Sequence, residues 1–131
     1  MKSSWLGLLL VLAAAPTVAS EPVYLRCTFD QDRANFDVTL DESNSTANVT
    51  MNGGFNDRAA FSPTEVRFVE RDSYGSGYYG RISFVTIRAI NRVDMSSTVE
   101  YKVLSSGVEQ EGSGYLAKGS CEKLSAPERA F

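Results

Sequence analysis

Apolar side chains recur at every second position through most of this chain. Val23, Leu25, Cys27 and Phe29 alternate with Tyr24, Arg26 and Thr28. Phe36, Val38 and Leu40 repeat the pattern within 35–40, and Ala47, Val49 and Met51 within 46–51. Successive side chains of a strand point to opposite faces, so this period marks half-buried antiparallel strands. Val66 and Phe68 within 64–70, and Val99, Tyr101 and Val103 within 98–104, extend the series. Shorter runs at 58–61 and 113–121 complete it. In 81–90 the alternation slips: Ile82 and Phe84 share one parity, while Val85, Ile87 and Ala89 share the other. A β-bulge or burial on both faces explains such a slip. Connectors such as DQDRA, DESNS and NGG have turn compositions. About eight strands and no helix are expected. The economical architecture is an all-β antiparallel meander closed into an eight-stranded barrel over 21–124, with a two-layer sandwich as the alternative.

Two cysteines, Cys27 and Cys121, lie near the two ends of that domain. An even count in an exported chain favours a disulfide, which would tie the first strand to the last. Export is read from residues 1–20. Lys2 gives a positive start, Leu6 to Ala15 an apolar run, and Pro16 to Ser20 a small-residue cleavage zone. That order is a secretory signal peptide, and the run is shorter than the ~20 residues of a spanning helix. Residues 125–131 read as a flexible C-terminal tail. The formal charge is -3 and becomes -4 once Lys2 leaves. A mildly acidic chain is poorly suited to nucleic acid or an anionic membrane.

The segment RDSYGSGYYGRISF (71–84) places Tyr74, Tyr78 and Tyr79 among Gly75, Gly77 and Gly80. The glycines suit a hairpin connection. The tyrosines cannot all face the core from it, and exposed tyrosines offer rigid amphipathic contact area. Either they cap the barrel or they form a contact surface, and Tyr74, Ser76, Gly77, Tyr78 and Tyr79 are the candidate binding residues. Asp30, Asp32, Asp37, Asp41 and Glu42 lack the spacing of a calcium loop and read as solvated turn carboxylates. Arg67, Arg71, Arg81, Arg88 and Arg92, interleaved with acids, read as cross-strand ion pairs rather than an anion site. Asn44 and Asn48 fit the glycosylation pattern but read as ordinary turn and strand residues. The chain contains no histidine, so it lacks the usual general base near neutral pH. No metal, cofactor or catalytic set is expected.

Two resemblances follow from these residues. An early cysteine, the stretch TIRAINRVDMSSTVEY and the late GSC resemble small exported proteobacterial proteins of the domain-of-unknown-function type. There, an Ile-x-Arg-x-(Asp/Thr) piece forms a hairpin, matched here by Ile90, Arg92 and Asp94. This implies an exported β fold and no reaction. The chain also resembles periplasmic inhibitors of c-type lysozyme, eight-stranded barrels with an early Tyr-x-Cys, a late cysteine and an inhibitory Ser-Gly-x-x-Tyr loop. Here Tyr24 and Cys27 are three apart, and Tyr78-Tyr79-Gly80 follow Ser76-Gly77. The likeness carries over Ser76, Gly77 and Tyr79.

The sequence therefore leads to a periplasmic or secreted, non-enzymatic binding module with an envelope or extracellular protein as partner. A lysozyme-inhibitor-like protein and a small-ligand carrier are the alternatives. Phe29, Phe36, Phe68 and Tyr101 are expected to fill the interior rather than line a cavity.

Overall fold

The structure, a computed structural model, describes residues 21–50, 55–75, 81–106, 108–109 and 114–125. Its strands are β1 (Val23–Phe29), β2 (Phe36–Asp41), β3 (Thr46–Val49), β4 (Phe55–Phe61) and β5 (Glu65–Tyr74), then β6 (Ile82–Asn91), β7 (Ser96–Ser105), β8 (Val108–Glu109) and β9 (Tyr115–Leu124). Each pairs antiparallel with its neighbours in the order β6-β5-β4-β3-β2-β1-β9-β7, and a further β6–β7 ladder closes the ring. The result is a closed eight-stranded barrel, and the sandwich alternative is set aside. The two-residue β8 is an addition beside the end of β7. A 3-10 turn, Asp32–Ala34, is the one helical element among the described residues. The sequence pattern gave no sign of it, because three residues are too few to show a helical period.

The alternation places the core. Leu25, Cys27, Phe36, Val38, Leu40, Val66, Phe68, Ile90, Val99, Ala117 and Cys121 are buried inside the ring. Phe36 meets Phe68 edge-on with ring centroids 6.0 Å apart, and Phe29 stacks on Phe36 at 5.6 Å. In β6 the register against both neighbours is unbroken from Ile82 to Ile90, so there is no bulge. The even residues face inward. Of the odd residues, Val85 is buried and Ile87 and Ala89 are half-buried, which is the two-faced reading of the slipped pattern.

Cys27 and Cys121 stand opposite each other in the β1–β9 ladder. They are joined by a disulfide with Cα atoms 4.0 Å apart. The Cys121 N–H donates away from β1, to the Met95 carbonyl at 2.8 Å. The cysteines thus form a non-hydrogen-bonded pair, the position at which antiparallel strands bring Cα atoms closest. The bond sits inside the barrel on the seam between the first strand and the last.

The two ends of the barrel differ. One is closed by the turns at 42–45, 62–64 and 92–95. Arg92 knits them together: it holds Glu42 through both terminal nitrogens, at 3.2 and 2.8 Å, and donates to the Ser62 carbonyl at 2.7 Å. Asn91 and Asp94 cap the third turn by accepting N–H groups of Val93, Asp94 and Ser96. The other end carries the longer connections 30–35, 50–54, 75–81 and 106–114. Of these, 30–35 folds back over the rim. Ala34 is buried, the Phe29 N–H donates to Asn35 Oδ1 at 2.8 Å, and the Lys118 N–H donates to Asp30 Oδ1 at 3.1 Å.

Gly119 is required where β9 crosses β1 at this rim. A Cβ there would collide with the Thr28 carbonyl oxygen and lie 2.8 Å from Phe29 Cα, and neither backbone atom can move aside alone. Gly119→Val should lower stability by about 3 kcal/mol, the upper end of overpacking costs. Urea denaturation reads it, and a loss below about 1 kcal/mol would show that the two strands are further apart.

Candidate functional site

Charged and hydroxyl side chains occupy inward positions in the half of the barrel nearest the long connections. Asp57 on β4 shares the parity of buried Ala59. Glu70 follows Val66 and Phe68 on β5. Thr86 and Arg88 precede Ile90 on β6, and Tyr101 and Tyr115 face each other across β7 and β9. Arg88 Nη1 donates to Glu70 Oε2 at 2.8 Å, with side chains only 13% and 18% exposed. The Arg88 guanidinium also lies 5.2 Å from the Phe36 ring centre. Its Nε and Asp57 Oδ2 are both shielded and make no hydrogen bond among the described residues.

The wall itself responds to these charges. The β4–β5 ladder runs from Phe61↔Val66 to Ala59↔Phe68 and stops there, while β5 stays paired to β6 as far as Tyr74. Two residues further in the same register, Asp57 would stand directly opposite Glu70. Like charges in directly opposite positions oppose strand pairing, which accounts for the end of the ladder at this point. Burial pushes the Asp57 carboxyl above its ordinary value, the Glu70 charge adds to the rise, and the Arg88 guanidinium opposes it.

On the far side of the same space stands a column of stacked groups. Phe84 stacks on Tyr101 at 6.0 Å, Tyr101 on Tyr115 at 5.3 Å, and Arg33 lies over the Tyr115 ring at 3.9 Å. Register sets this column, because Tyr101 and Tyr115 are direct cross-strand partners. Between the column and the Glu70–Arg88 pair lies a recess of about 220 Å³, lined also by Asn35, Thr86 and Val99. Phe36 and Phe68 are buried and fill the interior between them, as expected. The interior is incompletely filled at the open end, where Tyr101 lines space rather than removing it.

Of the candidate residues read from sequence, Tyr74 ends β5 opposite Ile82, and Gly75 has a positive φ of 93° that favours glycine. Ser76, Gly77, Tyr78 and Tyr79 lie outside the described residues, as do 1–20 and 126–131. The five arginines are not brought together. Arg67 pairs with Glu65, Arg92 with Glu42 and Arg88 with Glu70, while Arg71 and Arg81 are exposed elsewhere. The five acids are also dispersed. Asp37 takes a two-point contact from Arg26 on the outer wall, Asp41 caps Asn44, and Asp30 holds Lys118 at the opposite end from Glu42. Among the described residues, no group of three potential metal ligands converges, and no helix is long and apolar enough to cross a membrane.

Sequence reading missed Asp57, Glu70, Arg88 and Tyr115 as members of one site. The available signal was a charge at an inward parity, as in the alternation Phe55, Asp57, Ala59, Phe61. The chain matches no protein-family model, no curated protein and no solved structure.

Proposed function

We propose that this protein is an exported, non-enzymatic binding module that engages a protein partner with the open end of its barrel. The observation that carries the reading is the asymmetry between the ends. One end is drawn tight by Arg92, while the other combines four longer connections with a polar, aromatic-lined recess. The tyrosine-rich connection joins β5 to β6, whose ends at Tyr74 and Ile82 belong to the open rim. A barrel closed by a buried disulfide and used in an oxidising compartment supplies a rigid scaffold for such a rim. Replacing Tyr74, Tyr78 and Tyr79 by serine should leave the far-ultraviolet circular dichroism unchanged and reduce partner capture from an envelope fraction at least ten-fold. Equal recovery of the same proteins by parent and variant would remove the loop from the function.

One observation favours a sharper form of this reading. A closed eight-stranded barrel with its first and last strands joined by a disulfide is the architecture implied by the likeness to inhibitors of c-type lysozyme. Ser76, Gly77 and Tyr79 would then be the inhibitory residues. Clearing of a bacterial cell-wall suspension by c-type lysozyme should slow in the presence of micromolar protein, and undiminished clearing would end this form.

A further inference from the structure

We infer that the recess at the open end is a carboxylate-binding pocket that receives one acidic side chain of the protein partner. Size selects the kind of occupant. The recess holds about 220 Å³, below the ~300–1,000 Å³ of sites that enclose a whole small molecule. It suits one functional group on a short stem.

The polar lining selects the charge. Arg33 at the lip donates its Nε and Nη2 to one neutral acceptor, Gln31 Oε1, at 3.0 and 2.8 Å. Among the described residues no carboxylate lies within ion-pair distance of it. The one carboxylate in the lining, Glu70, is already matched by Arg88 at 2.8 Å. Asn35 has its side-chain oxygen engaged by the Phe29 N–H, so its amide nitrogen remains as a donor. The lining thus carries a surplus of one cation, Arg33, together with the Asn35 amide and the Thr86 and Tyr115 hydroxyls as donors. A carboxylate accepts from this set, whereas in the lining an ammonium group finds only Glu70, already held by Arg88; the other interior carboxyl, Asp57, lies outside the lining with its Oδ2 shielded. Ala34, Val49 and Val99 offer apolar contact for the stem. Tyr101 and Tyr115 already stack with Phe84, with each other and with Arg33, which disfavours a stacking ligand such as a sugar ring.

This inference takes its partner from the open-end reading, but its test uses the protein alone, so a failed pull-down and a failed titration are distinguishable. The disulfide-bonded chain, labelled with ¹⁵N, is titrated separately with propionate and with propylamine. Propionate should give saturable shifts at Arg33, Asn35, Thr86, Tyr101 and Tyr115, and propylamine none. Arg33→Gln should weaken propionate binding at least five-fold with the remaining spectrum unchanged. The capped tripeptide Ac-Ala-Glu-Ala-NH2 should bind at least as tightly as propionate. Saturation by propylamine at these residues, propionate shifts that never saturate, or propionate binding equal in the Arg33 variant would overturn the pocket's charge preference. Tighter binding of Ac-Ala-Ala-Ala-OH than of the glutamate peptide, by ten-fold or more, would overturn the assignment to a side chain.

Discussion

Replacing Cys27 and Cys121 together by alanine should lower the unfolding free energy by about 4 kcal/mol. The bond spans 94 residues, and the chain-entropy model gives ~4–5 kcal/mol for closing a loop of that length. Its position adds a local reason. The cysteines face each other on the β1–β9 seam, where the first strand must find the last, and that is the costliest closure in the ring. Both side chains are buried, at 0% and 8% exposure, so the alanines also leave a small void. Urea denaturation of the parent and the double variant measures the difference. A loss under about 1 kcal/mol would mean that the unfolded chain already holds its ends together, or that the seam is not closed by this bond.

The second large effect is expected at Arg88. Arg88→Leu leaves Asp57 and Glu70 facing the same interior with no cation between them. Removing one partner of a buried ion pair costs about 3–5 kcal/mol, because the remaining charge is uncompensated. With side chains 13% and 18% exposed, the lower end, about 3 kcal/mol, is expected here. Glu70→Met combined with Arg88→Leu should recover most of the loss, since a neutral pair replaces the charged one. The acid response carries the same argument. Burial already raises the Asp57 carboxyl in the intact protein, and Arg88 restrains the rise. A carboxyl raised on folding takes up protons more readily in the folded state than in the unfolded one. Its penalty is therefore present above the raised value and is lifted as pH falls through it towards the unfolded value. Arg88→Leu should enlarge this effect, so the variant gains stability relative to the parent on mild acidification. Urea midpoints at neutral pH and near pH 5 would show it, and a variant whose deficit grows with acid would contradict the shared acidic environment.

The fold was legible in the sequence wherever one face of a strand is uniformly apolar. Leu25, Val38, Val66 and Val99 sit inward as their alternation requires. Closure into a ring was expected but not derivable from any single strand, because the β1–β9 pairing joins the two ends of the domain. Legibility failed where the interior itself turns polar. The charged Asp57 at an inward position made FNDRAAF read as a strand beginning only at Arg58, although β4 begins at Phe55. For the same reason β5 read as ending at Glu70, whereas it continues to Tyr74. The site was missed with the strand ends: what draws Glu70, Arg88, Tyr101 and Tyr115 around one recess is register between strands, which composition does not display. The tyrosine-glycine stretch was visible because its residue types are unusual, and the structure contributes the rim from which β5 leaves and to which β6 returns.

The most direct test compares the two ends in one capture experiment. Partner recovery is quantified for the parent, for the Tyr74, Tyr78 and Tyr79 serine variant at the open end, and for Val93→Lys on the turn at the closed end. Val93 is 77% exposed there, so lysine is tolerated without disturbing the core. Loss of capture in the first variant and full capture in the second is the result predicted for a module that works through its open end. Capture abolished by Val93→Lys and retained by the serine variant would contradict it.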